Sequence, residues 1–267
     1  MHLKRWLTGI IALPVLIYII GFCPRWIFYV LLYLASLAGL TEFHRITTPD
    51  LHKIARWAGH LLVLLLFLLI YSGHLYFLPA VIALWAFIPM TLYIFIPSSQ
   101  GGRSTAILGK ALLGPVYVSL PLGMLMIMDK YPQGNIWIFF LLAVIFAGDT
   151  GAFYSGKFFG KHKLYESISP NKTWEGAVGG LLCSIIAAFW FLRILRIHQL
   201  DLNILALVIV LSITGQIGDL AESMLKRNSG VKDSSRILPG HGGILDRIDG
   251  LLFAIPVLYM YLHLRIV

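Results

Sequence analysis

The sequence predicts an all-α, polytopic membrane helix bundle of about nine transmembrane helices, and three observations carry that prediction. Hydrophobic residues make up 58% of the 267-residue chain and charged residues only 12%, far from the balance of a soluble globular domain. Apolar stretches close to the length needed to cross a hydrocarbon layer recur from one end to the other. Aromatic residues reach 13%, with seven Trp and twelve Tyr, which suits a protein that anchors many helix ends at headgroup level.

The apolar stretches fall at 6–21, 26–41, 58–72, 75–96, 106–128, 135–149, 176–195, 202–225 and 248–264. Lys4-Arg5 ahead of the first run resembles the start of a signal peptide. No small-residue cleavage site follows, however, and Gly21-Phe22-Cys23-Pro24-Arg25 reads as a tight hairpin into the second span, so the first run is an anchor. Spans three and four are separated only by Ser72-Gly73-His74, and the sixth is the weakest as a full crossing. Charge tests the count. With the N-terminus cytoplasmic and the C-terminus outside, sixteen of the 21 Lys and Arg fall on the inner side, leaving Arg25, Lys130, Arg193, Arg196 and Arg265 outside, as the positive-inside rule requires. The formal charge of +9 therefore reflects loops held against anionic headgroups rather than nucleic acid binding. The same registration places Cys23 outside and Cys183 near the inner face, so the two cysteines cannot pair.

Polar chemistry is concentrated late in the chain. Of twelve acids, only Glu42, Asp50 and Asp129 precede residue 148. Residues 1–134 are accordingly expected to be scaffold with room for a lipid entry groove, and residues 135–267 to carry the functional helices and cytoplasmic loops. On span eight, Asp219, Glu222, Ser223, Lys226 and Arg227 fall at i, i+3, i+4, i+7 and i+8 and line one helix face. Asp219 lies roughly 26 Å along the helix, just under the inner edge of a hydrocarbon layer of about 30 Å, where a carboxylate needs a partner. An ordinary amphipathic helix end with solvated charges is the plain alternative.

The next loop weighs against that alternative, because it re-enters the membrane carrying Asp246 and Asp249. Gly240, Gly242 and Gly243 around His241 permit close approach of backbone to a ligand, and amides so exposed suit phosphate oxygens. A Pro-Gly-rich turn explains the glycines but not two acids at the mouth of a span. Asp246 and Asp219 are an oxygen-donor pair of the kind that Mg²⁺ takes along with water and phosphate. A third polar element runs from Asp149 through Lys157, Lys161 and Lys163 to Ser169-Pro170-Asn171-Lys172-Thr173-Trp174-Glu175-Gly176. Positive-inside bias explains the first three lysines, whereas Lys172 stands at the start of a span, where helix-end amides and an ammonium make an anion site. Gly151-Ala152-Phe153-Tyr154-Ser155-Gly156-Lys157-Phe158 has P-loop spacing, but Phe158 cannot ligate magnesium and no strand precedes it.

Ser223-Met224-Leu225-Lys226-Arg227, Lys232-Asp233, Leu238-Pro239-Gly240-His241-Gly242-Gly243 and Asp246-Arg247-Ile248-Asp249 together closely resemble the signature of the phosphatidate cytidylyltransferase (CDP-diacylglycerol synthase) family. Ala147-Gly148-Asp149-Thr150-Gly151 and the segment 169–176 look like further family segments, so the specific motifs cover about residues 147 to 250. Ser235 where glycine is common, Gly250 where serine is common and Asn171 where lysine is frequent are mild departures.

The resemblance implies the reaction CTP + phosphatidate → CDP-diacylglycerol + pyrophosphate, dependent on Mg²⁺ at one or two sites, at the inner face of a bacterial cytoplasmic membrane, by a homodimer. A phosphomonoester is already mostly ionised at pH 7, so its oxygen can attack the α-phosphorus of CTP without a general base. Two polyanions must still be brought together, and catalysis should consist of in-line positioning and charge neutralisation. Asp219, Asp246, Asp249 and Asp149 are then the candidate metal ligands. Lys226, Arg227, His241 and Ser223 are the candidate catalytic residues, and Asn171, Lys172, Thr173, Lys232 and Arg247 the candidate substrate-binding residues. Two competing functions use similar charges. An ion-coupled transporter predicts broken helices in both halves, while a nucleotide-dependent lipid kinase is separated only by the family motifs.

Overall fold

A computed structural model describes residues 13–95, 102–195, 201–235, 237 and 242–266. His241 and the first part of span one lie outside these residues. Residues 13–21 are helical (α1). There follow α2 (Arg25–Thr47), α3 (Lys53–Ser72), a 3-10 turn (Leu75–Phe77), α4 (Leu78–Phe95), α5 (Gly102–Asp129), α6 (Gly134–Phe159), α7 (Trp174–Leu195), α8 (Leu202–Asn228) and α9 (Leu245–Ile266). Among the described residues eight helices are long and apolar enough to cross a membrane, and they correspond one to one with spans two to nine. The chain is a polytopic all-α membrane protein. Span six, expected to be the weakest crossing, is a continuous helix of 26 residues.

Where the helices differ from the apolar stretches, they differ at one kind of end. Ends assigned to the outer side, such as Ser72, Leu195 and Leu202, coincide with the sequence reading. Ends assigned to the cytoplasm run on: α2 continues to Thr47, α6 to Phe159 and α8 to Asn228, while α9 begins at Leu245. The extra turns carry polar side chains, which a hydropathy window excludes but which do not interrupt a backbone hydrogen-bond ladder.

The chain divides into two compact units, Met1–Ile127 with Ser229–Arg247, and Met128–Asn228 with Ile248–Val267. The first unit packs α3, α4 and α5 around Leu62, Leu66 and Trp85, whose indole donates to the Ala58 carbonyl at 2.8 Å. Placing that N–H on a backbone acceptor removes the cost of burying it. In the second unit α6 and α7 meet along a seam of small residues. A Cβ at Gly148 would strike Ser184, one at Gly151 would strike Cys183, and one at Gly180 would press on the Gly148 carbonyl. Without a hydrophobic force between helices in lipid, such close backbone approach is what holds them together, and Ser184 Oγ adds a 2.9 Å bond to the Val144 carbonyl. The P-loop-like glycine spacing on α6 thus has a packing cause, since Gly151 lies in this seam and Gly156 lies against Thr173 and Gly176.

One element was not anticipated. Residues 163–173 form a two-stranded antiparallel ribbon, β1 (Lys163–Tyr165) and β2 (Ser169–Thr173), with Lys163 opposite Thr173 and Tyr165 opposite Ser169.

Candidate functional site

In the second unit the ribbon is what aims Lys172. Its base is closed by Glu175 in the first turn of α7, which accepts from the His162 backbone N–H at 3.2 Å and pairs with His162 Nδ1 at 2.6 Å. The Trp174 N–H returns to the His162 carbonyl at 3.0 Å. Its far end is held by Arg227 at the end of α8, whose Nε donates to the Ile168 carbonyl at 3.3 Å. Thr173 is buried, and its hydroxyl accepts from the Gly176 N–H at 3.1 Å, so it caps α7. Asn171 points into solvent.

Between Asn171 and Thr173, Lys172 places its Nζ 2.7 Å from Asp219 Oδ2. The other oxygen, Oδ1, accepts from Ser223 Oγ at 3.4 Å, one helical turn along. Asp249 on α9 lies within electrostatic reach of Asp219, of Asp149 on α6 and of Lys226. The structure therefore brings together five of the sequence candidates, Lys172, Asp219, Ser223, Asp249 and Lys226, with Asp149 at the edge and exposed. The helices meet closely here because the α8 residues facing α9 are glycines. A Cβ at Gly218 would collide with the Asp249 carbonyl, and Gly250 lies against the Gly215 carbonyl. The glycine at 250 thus sits on a backbone contact surface.

Two ion pairs on α8 differ sharply in burial. The Lys172–Asp219 side chains are 25% and 41% exposed, and a pair so open contributes about 0–1 kcal/mol to stability. Holding the fold together is not a sufficient reason for it. Lys226 instead pairs with Glu222 one turn earlier, and the Glu222 side chain is fully buried while Lys226 is 12% exposed. A carboxylate in that setting depends on its ammonium.

Magnesium is bound through oxygen, commonly by one or two carboxylates with waters and substrate phosphates. Among the described residues no group of three or more His, Cys, Asp or Glu side chains comes together to hold an ion unaided. The set at Asp219, Ser223 and Asp249 nevertheless fits the sparser arrangement. All the donors are hard oxygens, and Asp219 already takes a cationic partner in Lys172.

The remaining candidates lie in the first unit. Asp246 is in the first turn of α9, where its Oδ2 accepts from the Ser234 N–H at 2.9 Å, Ser234 Oγ at 2.8 Å and the Gly243 N–H at 2.7 Å. The Gly243 amide is therefore directed at a side chain of its own loop. The glycines, expected to admit a ligand, make room for carboxylates: a Cβ at Gly242 would overlap Asp246, and one at Gly243 would overlap Glu42 and Ser234. Lys232 is exposed and, with Arg45, lines a cavity of about 340 Å³ between the end of α2 and residues 231–235. Arg247 is exposed on α9.

Glu42 has no place among the sequence candidates, yet its side chain has the most elaborate surroundings in this unit. It is 2% exposed and takes hydrogen bonds from Ser234 Oγ, Ser235 Oγ, and the N–H groups of Ile244 and Leu245. The available signal was slight: one of three acids in the first half of the chain, immediately after the apolar stretch of span two.

The profile of the Cytidylyltransferase family matches residues 3–265. A protein of Staphylococcus epidermidis named phosphatidate cytidylyltransferase is 45% identical over 151 residues, 57% of this chain and 57% of its own length. Proteins of the same name in Staphylococcus saprophyticus and Staphylococcus aureus are 45% and 44% identical over the same shares. The matched stretch thus spans little more than half the length of these relatives.

Proposed function

The chain belongs to the cytidylyltransferase family, and on that premise we propose that it transfers the cytidylyl group of CTP to phosphatidate, giving CDP-diacylglycerol and pyrophosphate at the cytoplasmic face of a bacterial inner membrane. The name carried by the staphylococcal relatives supports this substrate pair. The observation that carries it in the structure is the exchangeable ion pair of Lys172 and Asp219, set where carboxylates and ammoniums from α6, α8, α9 and the ribbon interleave.

In this reaction an oxygen of the phosphatidate phosphate forms a bond to the α-phosphorus of CTP as the bond from that phosphorus to the bridging oxygen breaks, and pyrophosphate carries the electron pair away. No proton need be removed from the nucleophile, so the side chains serve to position and to neutralise. Lys172, rigidly presented by the ribbon, can exchange its carboxylate for a phosphate oxygen at little cost to the fold. Lys226 and Arg227 add positive charge on α8, and Lys232, Arg247 and His241 are the bases of the following loop and helix that we assign to phosphate. Asp219 and Asp249, with Ser223 beside them, are the groups we assign to Mg²⁺, and Asp149 and Asp246 are the further carboxylates assigned to it. Bound there, the ion supplies charge neutralisation on the transferring phosphoryl group.

The test uses purified protein, phosphatidate in mixed micelles and Mg²⁺, with CTP labelled at the α- or the γ-phosphate. Label from the α position should enter chloroform-soluble lipid, label from the γ position should leave as pyrophosphate, and Asp219→Asn should abolish the first. Entry of γ-label into lipid would make the protein a kinase. No lipid label from well-folded protein would sink the proposal.

A further inference from the structure

Building on the proposed reaction, we propose that Glu42 is a positioning residue, a carboxylate delivered by α2 that ties the middle of the loop joining α8 to α9 to its return into α9 and thereby orients Asp246. Its Oε2 accepts from Ser234 Oγ at 3.0 Å and from the Leu245 N–H at 2.8 Å, while Oε1 accepts from Ser235 Oγ at 2.6 Å and from the Ile244 N–H at 3.1 Å. Each oxygen thus faces one hydroxyl from the middle of the loop and one backbone amide from its return. A helix cap needs a single local acceptor. Here the acceptor comes from about two hundred residues away in sequence and ties the N-terminus of α9 to a distant stretch of the same loop.

Ser234 connects this lock to Asp246. Its hydroxyl lies 3.0 Å from Glu42 Oε2 and 2.8 Å from Asp246 Oδ2, and its single proton bridges one of them at a time, so the two carboxylates are set against a common oxygen. The Ser234 and Gly243 amides complete the hold on Asp246 Oδ2. Gly243 is the only residue type that leaves space for Glu42 and Ser234 at once, and Gly242, at φ +80°, leaves space for Asp246. Loop residues, glycines and the α2 carboxylate form one mutually dependent arrangement that exceeds the needs of a cap.

The geometry also says why the residue must be an acid. Both oxygens face N–H groups, so the amide nitrogen of a glutamine would confront a donor whichever way it is turned. Glu42→Gln keeps shape and volume while breaking one side of the lock. A displacement of about 1 Å at a reacting group can cost on the order of 10²-fold in rate. Glu42→Gln should therefore lower kcat by about 10- to 100-fold, with KM for CTP and phosphatidate within about twofold, in a protein that stays folded at the assay temperature although its thermal midpoint in detergent falls because a buried N–H is left facing a donor. Ser235→Ala, which removes one donor and keeps the carboxylate, should lower kcat only a few fold. Hydrogen exchange at the Ile244 and Leu245 amides, read on unliganded protein, should quicken in Glu42→Gln.

Full kcat in folded Glu42→Gln would overturn the proposal, as would a KM rise at constant kcat. If Glu42→Gln does not fold, full kcat in Ser235→Ala would overturn it, and a few-fold loss with normal stability would sustain it. If wild-type protein transfers no cytidylyl group, the proposed function fails separately. The lock then stands or falls on the exchange rates alone: faster exchange in the variant supports it and unchanged exchange removes it.

Discussion

The two units solve the same problem, a carboxylate at the polar end of a membrane helix, by opposite means. In the first, Glu42 is buried and, among the described residues, met by neutral donors, two hydroxyls and two amides. In the second, Asp219 and Glu222 are met by ammonium groups, Lys172 and Lys226. Neutral donors on the backbone are fixed in number and place, so a carboxylate satisfied by them is a joint. A lysine on a flexible stem can leave, and a carboxylate satisfied that way can accept another cation or give its lysine up to an anion. For Glu42 and Asp219 the partner of the charge thus separates holding from working, while Asp246, held at Oδ2 by neutral donors and assigned to Mg²⁺, joins the two roles. The second unit divides further by burial, because Glu222 is sealed off while Asp219 is open to solvent.

That division gives the largest expected effect. Lys226→Met leaves the Glu222 carboxylate buried without its ammonium, which should cost about 3–5 kcal/mol, read as thermal or denaturant unfolding in detergent micelles. Adding Glu222→Leu should recover most of the loss, since an apolar pair of similar volume replaces a buried ion pair at little cost. If the single variant unfolds like wild type, burial does not distinguish the two pairs. Next in size is Lys172→Met. Stability should change by less than about 1 kcal/mol because the pair is half exposed. Transfer of α-label from CTP to lipid should fall by about 10²- to 10³-fold, the range for removing one charge-stabilising donor. Equal losses of stability and rate would make Lys172 another joint.

How much of this was legible in the sequence follows the same line. Helix number, the outer ends of the helices, and the pairing of charges at i, i+4 on α8 all follow from periodicity and hydropathy, which are local properties. The ribbon carrying Lys172 was not read, because five residues containing Pro170 and Asn171 have little strand propensity. Glu175, Arg227 and the helix packing around it fix its shape instead. Glu42 was placed in a segment expected to be scaffold, because its partners are some two hundred residues distant. Gly242 and Gly243 were recognised as sites of close approach, yet the group that approaches is a carboxylate of the protein, which spacing cannot distinguish from a ligand.

Those glycines offer a smaller test within the first unit. Gly230 and Gly242 both have positive φ, +70° and +80°, but nothing lies within 4 Å of a Cβ at Gly230, whereas a Cβ at Gly242 would overlap Asp246. Alanine at position 230 should cost only the left-handed backbone penalty, about 1 kcal/mol. Alanine at 242 should cost about 2 kcal/mol or more, because the penalty is joined by displacement of Asp246, and activity should fall with it. Equal costs at the two positions would show that Asp246 yields freely and is not held by its loop.

The smallest effect is expected at the opposite end of α8 from Asp219, where a carboxylate of the second unit accepts from a backbone amide. Asp201 Oδ1 accepts from the Ile204 N–H at 2.8 Å and caps the helix. If the partner of a charge, rather than the unit it belongs to, separates joints from working groups, Asp201→Ala should cost about 1 kcal/mol in unfolding and leave cytidylyl transfer at the wild-type rate. Asp201→Asn, which keeps a capping oxygen, should recover most of that stability. A large loss of activity in the alanine variant would mean that every acid of the second unit serves the reaction, and the distinction between neutral and cationic partners would then say nothing about function.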